Sequence, residues 1–269
     1  MNNLNRIKFS EISFKRIISA VERRILSIPN KILWNISPAA INNRSRLSAY
    51  KNKHQNERCY LIANGPSLKN TDLNKIKDKI SFGLNRIYLN YSNMDFKPTY
   101  LVCVNKLVLM QFASELKTQT MPLFIHWQSR EYYKDIQTPL YLEKNFLASP
   151  FSEDISYSIN SAATVTYAAL QIIYYMGFKE VIIIGMDHNF AFSGKPNETQ
   201  IRNEEKDQNH FAENYFPKGY AWQTPDLTST EYFYKIADQK FKKAGRKIYD
   251  ATINGKCDVF EKIDYNSLF

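Results

Sequence analysis

Four short apolar runs, each too brief for a stable helix and each closed by a polar residue, constrain what this chain can fold into. Cys59–Ala63 ends at Asn64, Ile80–Leu84 at Asn85, Tyr100–Val104 at Asn105, and Val181–Ile184 at Gly185-Met186-Asp187. Runs of this length read as strands buried on both faces, as in parallel sheets covered by helices. Leu123–Trp127 is a fifth run of the kind, and Lys247–Tyr249 a short last one. Helical patterns lie between them. In Asn160–Met176, Val165, Ala168, Ala169, Ile172, Ile173 and Met176 can pack on a sheet, and Gly177 supplies a stop. A second helix spans Ser229–Lys243, and a helical segment after Ser67 has Asn70 or Thr71 as its cap. Strands separated by helices predict an α/β fold, a doubly wound, mostly parallel, Rossmann-like sheet. Ligands of such sheets bind beyond the carboxyl ends of the strands, where Asn64, Asn85, Asn105 and Asp187 all fall.

The formal charge of +10 is unevenly placed. Residues 1–55 hold 11 of the 36 basic side chains against Glu11 and Glu22 alone, a net of +9, which leaves the rest of the chain at +1. A body so nearly neutral gives a nucleic-acid partner no electrostatic basis. The expected division is a basic amphipathic arm, 1–55, and a nucleotide-binding catalytic domain, 56–269. In the arm, Phe9, Ile12, Ile17, Val21, Ile25, Ile28 and Ile32 recur at spacings of three to five, one helical face interrupted at Pro29. Lys15, Arg16, Arg23 and Arg24 suit anionic lipid, and Phe14, Ile18, Leu26 and Trp34 widen the apolar contact. Two occupants fit this face: the inner surface of a membrane, or the chain's own body or a second copy in a homo-oligomer. No apolar run approaches the roughly 20 residues of a membrane span, and charges interrupt every candidate leader. The expected location is therefore cytoplasmic, with the arm peripheral on the inner membrane face. Cys59, Cys103 and Cys257 are scattered among apolar residues, which reads as buried thiols in a reducing compartment rather than disulfides or a metal site.

Asn64-Gly65-Pro66-Ser67 joins the first strand to the helical segment after it. Gly65 lets the backbone come close to a ligand, Pro66 fixes the turn, and Ser67 with the next amides offers donors to phosphate oxygens; a plain turn is the competing reading. Neither G-x-G-x-x-G nor a Walker P-loop occurs. Ser161 opens the long helix, as an anion contact or a simple cap. Asp187 closes the central strand, and His188 and His210 lie in the polar loops beyond it, where an imidazole serves as general base near neutral pH. His54 belongs to the arm and His126 ends an apolar run. No HExxH or other spaced metal cluster is present, and no G-x-S-x-G elbow.

Taken together, Leu61–Leu68, Phe82–Arg86, Thr164–Tyr167, Gly185–Phe190 and Asn209–Phe211 resemble the MptE-like 6-hydroxymethylpterin diphosphokinase family over about residues 57–269. The same order is similar to the bacterial family 42 sialyltransferases: an Asn-Gly-Pro-Ser turn, an asparagine closing the second strand, a serine opening a long helix, a Gly-x-Asp strand end and a later loop histidine. The resemblance implies that Asn64, Asn85 and Ser161 touch the cytidine monophosphate part of a CMP-sugar. Asp187 would then lie beside the donor and His210 would take the acceptor proton. Gly65, Pro66, Ser67 and Asn105 complete the expected nucleotide-binding set, with His188 as a second catalytic candidate. The implied activity is inverting, metal-independent transfer of a nonulosonic acid from a nucleotide-sugar donor to a surface-glycan or lipid-linked acceptor, with no cofactor. The sialyltransferases carry tyrosines just after Gly-x-Asp to assist the leaving phosphate; here His188, Asn189 and Phe190 stand there, with Tyr215 and Tyr220 as substitutes. The alternative is a pterin diphosphokinase using ATP and Mg²⁺, with Asp187, Asp72 and Asp207 as its carboxylates. A third reading is a noncatalytic membrane-bound module.

Overall fold

The computed structural model describes residues 28–144, 149–161 and 164–269. The apolar face expected from Phe9 to Ile25, and its four basic neighbours, lie outside these. The chain divides into two compact units, Met1–Asn42 and Asn43–Phe269. In the first, residues 28–36 are helical, Ile28, Ile32 and Ile36 are exposed, and Trp34 is buried. Trp34 is thus not open to a membrane surface. Helix α1 (Pro38–Ser48) follows after a break at Ser37.

The second unit is built on one eight-stranded sheet. In chain order its strands are β1 (Arg58–Ile62), β2 (Ser81–Leu84), β3 (Tyr100–Cys103), β4 (Leu123–His126), β5 (Pro139–Leu142), β6 (Glu180–Ile184), β9 (Lys247–Asp250) and β10 (Glu261–Lys262). Their spatial order is β10-β9-β6-β1-β2-β3-β4-β5, and every neighbouring pair is parallel. The chain therefore winds outward from β1 to β5, then returns to the other side of β1 and winds outward again from β6. That reversal between β1 and β6 opens a crevice at the carboxyl ends of the two strands. Ile62 pairs with Ile184 across it. Val181, Ile182, Ile183 and Ile184 are fully buried, as a doubly covered central strand requires.

Helices α2 (Lys106–Gln111), α3 (Ala113–Lys117), α4 (Val165–Tyr175) and α5 (Leu227–Lys243) complete the unit. Helix α4 packs on β2, β3 and α5. At its carboxyl end Gly177 takes φ +92°, and the carbonyls of Tyr175, Met176 and Gly177 accept from the backbone N–H groups of Asn52, His54 and Asn56. Orphan carbonyls are satisfied by the segment leading into β1, which ties helix end to strand start. At the β5 edge, Asn43 accepts from Tyr141 N and donates to Tyr141 O, both at 2.8 Å, so one side chain imitates a neighbouring strand. Cys59, Cys103 and Cys257 are buried free thiols, as expected.

Three local expectations need correction. The long helix begins at Val165, not Asn160, and Thr164 is its cap, accepting from Tyr167 N at 3.1 Å. Buried Gln171 explains the late start: it accepts from Asn160 N and donates to Asn160 O, holding that residue in extended chain. After Ser67 there are two 3-10 turns, Pro66–Asn70 and Leu73–Ile76, in place of one helix. Asp72 caps the second by accepting from Asn74 N, while Thr71 bonds back to Ser67 O. Third, β5, β10 and an antiparallel pair, β7 (Thr199–Ile201) with β8 (Ala221–Gln223), were not foreseen.

Candidate active site at the switch point

The Asn64–Ser67 turn is fastened to the end of β6. Ala63 N–H donates to Ile184 O and Gly65 N–H to Gly185 O, both at 2.8 Å. Ser67 donates twice to Asp187, from its amide to Oδ1 at 3.0 Å and from its hydroxyl to Oδ2 at 2.7 Å. A Cβ on Gly65 would stand 1.8 Å from Asp187 Oδ2, so only glycine fits beside this carboxylate. Leu68 N–H closes back on Gly65 O. The amides expected to meet phosphate are thus engaged within the protein. Pro66 and Ser67 do not line the cavity, whereas Asn64, Gly65 and Asp187 do.

That cavity has a volume of about 180 Å³ and lies over the carboxyl ends of β1, β2 and β6. Asn64 donates through Nδ2 to Leu84 O at 3.1 Å, and its Oδ1 is buried with no partner among the described residues. Asn85 takes φ +45°, a conformation asparagine tolerates, anchored by its N–H on Val102 O at 2.9 Å. Its Oδ1 is also buried and unpartnered among them. Two orphaned acceptors lining one cavity call for donors on a ligand, such as hydroxyl or amino groups. Among the described residues, no lysine or arginine lines this cavity.

The histidine loop runs from β7 to β8 and is pinned to the turn by Phe211 N–H donating to Asn64 O at 3.0 Å. His210 Nδ1 lies 2.9 Å from Asp207 Oδ2, and the imidazole stacks on Tyr215 with centroids 3.9 Å apart and planes at 2°. Asp207 is fully buried and also accepts from the amides of Asn209 and Phe216. Burial alone would raise its carboxyl; the hydrogen bond and charge of His210, the Asn209 amide and Arg202 outweigh it and hold Asp207 below the ordinary carboxylate value. With Nδ1–H directed at Asp207, the His210 Nε2 is left as an acceptor, without a partner among the described residues. His188, at φ +55°, lines the same cavity, but its Nε2 meets Glu231 Oε1 at 3.1 Å.

Other expected residues fall elsewhere. Asn105 and Ser161 line a neighbouring cavity of about 450 Å³ that shares Thr164 and Val165 with the first. Asn105 Oδ1 caps α2, accepting from Leu107 and Val108 N–H. Ser161 Oγ is buried and unpartnered among the described residues. Tyr215 lines the first cavity with its hydroxyl accepting from Arg86 N–H, and burial pushes its phenol well up; Tyr220 stacks on Phe112 away from the cavity. The buried Arg86 guanidinium lies 3.6 Å over Phe112, pairs with Glu115 and donates to the carbonyls of Asn214 and Tyr215, fixing the far end of the histidine loop. Sequence reasoning missed Asp207 as the partner of His210, although the Asp-x-x-His spacing was there to be read. It also missed Tyr234, which lines the cavity with its hydroxyl 3.2 Å from Thr164 Oγ1.

Residues 33–193 match the family model described as 6-hydroxymethylpterin diphosphokinase MptE-like. A sequence search of curated proteins finds no match. Among solved structures the chain is similar to the MAf glycosyltransferase from Magnetospirillum magneticum AMB-1, with a TM-score of 0.51 and 13% identity. The alignment covers 84% of this chain and 38% of that one, so the chain spans well under half of its length. At this identity the likeness is one of fold.

Proposed function

The chain belongs to the MptE-like 6-hydroxymethylpterin diphosphokinase family, and we propose that it is a nucleotide-dependent transferase whose acceptor is deprotonated by His210. In this reading a CMP-linked nonulosonic acid is the donor and a surface or lipid-linked glycan the acceptor. The acceptor hydroxyl gives its proton to His210 Nε2 while its oxygen attacks the anomeric carbon. CMP departs from the opposite face and the configuration inverts. Asp207 orients the ring and stabilises the imidazolium that forms, and the orphaned Asn64 and Asn85 oxygens receive donors from the nucleotide. His210 at the cavity wall, backed by the buried Asp207, is the observation that carries this reading.

The family description favours a second reading, pyrophosphoryl transfer from ATP to a pterin. That chemistry places Mg²⁺ between carboxylates and phosphates. Among the described residues no three His, Cys, Asp or Glu side chains are grouped to hold a metal. Asp187 has both oxygens on Ser67, Asp207 is taken by His210, and Asp72 caps a 3-10 turn. Asp187, the carboxylate at the end of β6, is the residue that would hold Mg²⁺ on the phosphates in this reading, sharing its oxygens with Ser67.

Calorimetric titration with CMP, CDP, UDP and ATP, each with Mg²⁺ or with EDTA, separates the two. CMP binding that survives EDTA is expected; ATP binding that requires Mg²⁺ would establish the second reading. The basic arm suits retention at the inner membrane face, beside a lipid-linked acceptor. Among the described residues no helix is long and apolar enough to cross a membrane. Liposome flotation with and without residues 1–50 tests the arm: unchanged recovery after deletion removes it as an anchor.

A further inference from the structure

Among the described residues, the first cavity presents acceptors, carboxylates and imidazoles but no lysine or arginine, and its turn amides are already bonded. At about 180 Å³ it also falls short of the roughly 300–1,000 Å³ typical of a small-molecule site. An anionic substrate needs a further chamber, and the neighbouring one is built differently. Its walls bring together Lys106 at the start of α2, Lys144 just after β5, and Ser161. Among the described residues the ammonium groups of both lysines have no ion pair or hydrogen bond, and the buried Ser161 hydroxyl has no partner. Asn105, whose oxygen caps α2, has its amide nitrogen unengaged among them. These groups are all donors.

We propose that Lys106, Lys144 and Ser161 form an anion-binding subsite that holds the phosphate or carboxylate of the substrate whose hydroxyl-bearing part contacts Asn64 and Asn85. The inference rests on the nucleotide-transferase reading for what fills the first cavity, but not for the anion itself. Burial, then repulsion from Lys106, draws Lys144 down to about 8, against a smaller pull upward from Glu143. Two like charges lining one chamber, with Glu143 opposing them only in part, are unfavourable alone and favourable around an anion. The two chambers share Thr164 and Val165 in their walls, and in this proposal one ligand reaches from the first into the second with its anionic end at the lysines.

Calorimetry at pH 7 on the full chain tests this with CMP, inorganic phosphate and acetate as probes, on wild type, Lys106→Met, Lys144→Met and Ser161→Ala. The expected result is a loss of affinity of about tenfold or more for each lysine variant and a smaller loss for Ser161→Ala. Lys218→Met, which removes an exposed lysine paired with Glu205, should bind like wild type. Melting temperatures near the wild-type value show that the variants fold. If phosphate shows the lysine dependence and acetate does not, the subsite takes phosphate; the reverse assigns it to a carboxylate. CMP, phosphate and acetate that all bind equally to wild type and both lysine variants overturn the subsite and leave the transferase reading standing. Lysine-dependent phosphate binding without CMP binding keeps the subsite and overturns CMP as the nucleotide. No binding of any probe overturns both.

Discussion

His210 Nδ1 stands 2.9 Å from a fully buried Asp207 oxygen, and the opposite ring nitrogen is left free of partners among the described residues. A histidine held this way has one tautomer favoured and one basic site available. Replacing Asp207 by Asn keeps the shape but removes the charge that stabilises a protonated ring. We expect Asp207→Asn and His210→Gln each to lower kcat by about 10²–10⁴, with CMP affinity changed only a few-fold. Single-turnover transfer measured beside CMP titration checks this; an equal loss of binding and turnover would make the pair structural.

Asn85 combines a positive φ with a buried oxygen that has no partner among the described residues. Asn85→Gly keeps the backbone conformation and deletes only the amide. The variant should melt close to wild type and bind CMP about tenfold more weakly. Unchanged affinity would show that Asn85 serves the turn alone.

Gly65 has no room for a methyl group, because the Asp187 carboxylate occupies its place. Gly65→Ala must push Asp187 away from Ser67 or shift the turn. A loss of about 1–3 kcal/mol is expected, read from the denaturant midpoint at unchanged m-value. A variant as stable as wild type would mean that the turn relaxes freely.

Lys144 titrates at about 8 in the folded chain against 10.5 ordinarily, lowered by burial and by Lys106, with Glu143 opposing; nearby His126 is itself held neutral by burial and by Lys144. The folded state gives up this proton before the unfolded one. The resulting cost is therefore complete below pH 8 and disappears as pH rises from about 8 toward 10.5. Relative to Lys144→Met, wild type should gain stability across that window. Denaturant melts at pH 7, 9 and 10.5 check the sign, and parallel curves would show Lys144 to be solvated.

The sheet was legible because a central parallel strand must be apolar on both faces, and Val181–Ile184 satisfies that with no other local reading. The strand ends were legible for the same reason: Asn64, Asn85 and Asp187 are the first polar residues after each run. What escaped was set by long-range partners. Nothing local to Asn160 announces that Gln171 will hold it out of the helix. Lys144 comes after an edge strand too short to stand out, and its meeting with Lys106 depends on strands lying side by side. The expectation that the turn amides carry phosphate took the motif in isolation, whereas the side chain that occupies Ser67 comes from the end of β6.

The clasp between the first turn and Asp187 joins positions some 120 residues apart into one heritable unit. A descendant chain that acquires a side chain at 65 has to surrender the carboxylate at 187, and one that surrenders the carboxylate first leaves a serine amide and hydroxyl without partners. Neither change is a neutral first step, so drift at these positions is expected to be paired or absent. The glycine then records the company it keeps within the protein, and its presence in a related chain foretells an acidic residue at the end of the neighbouring strand.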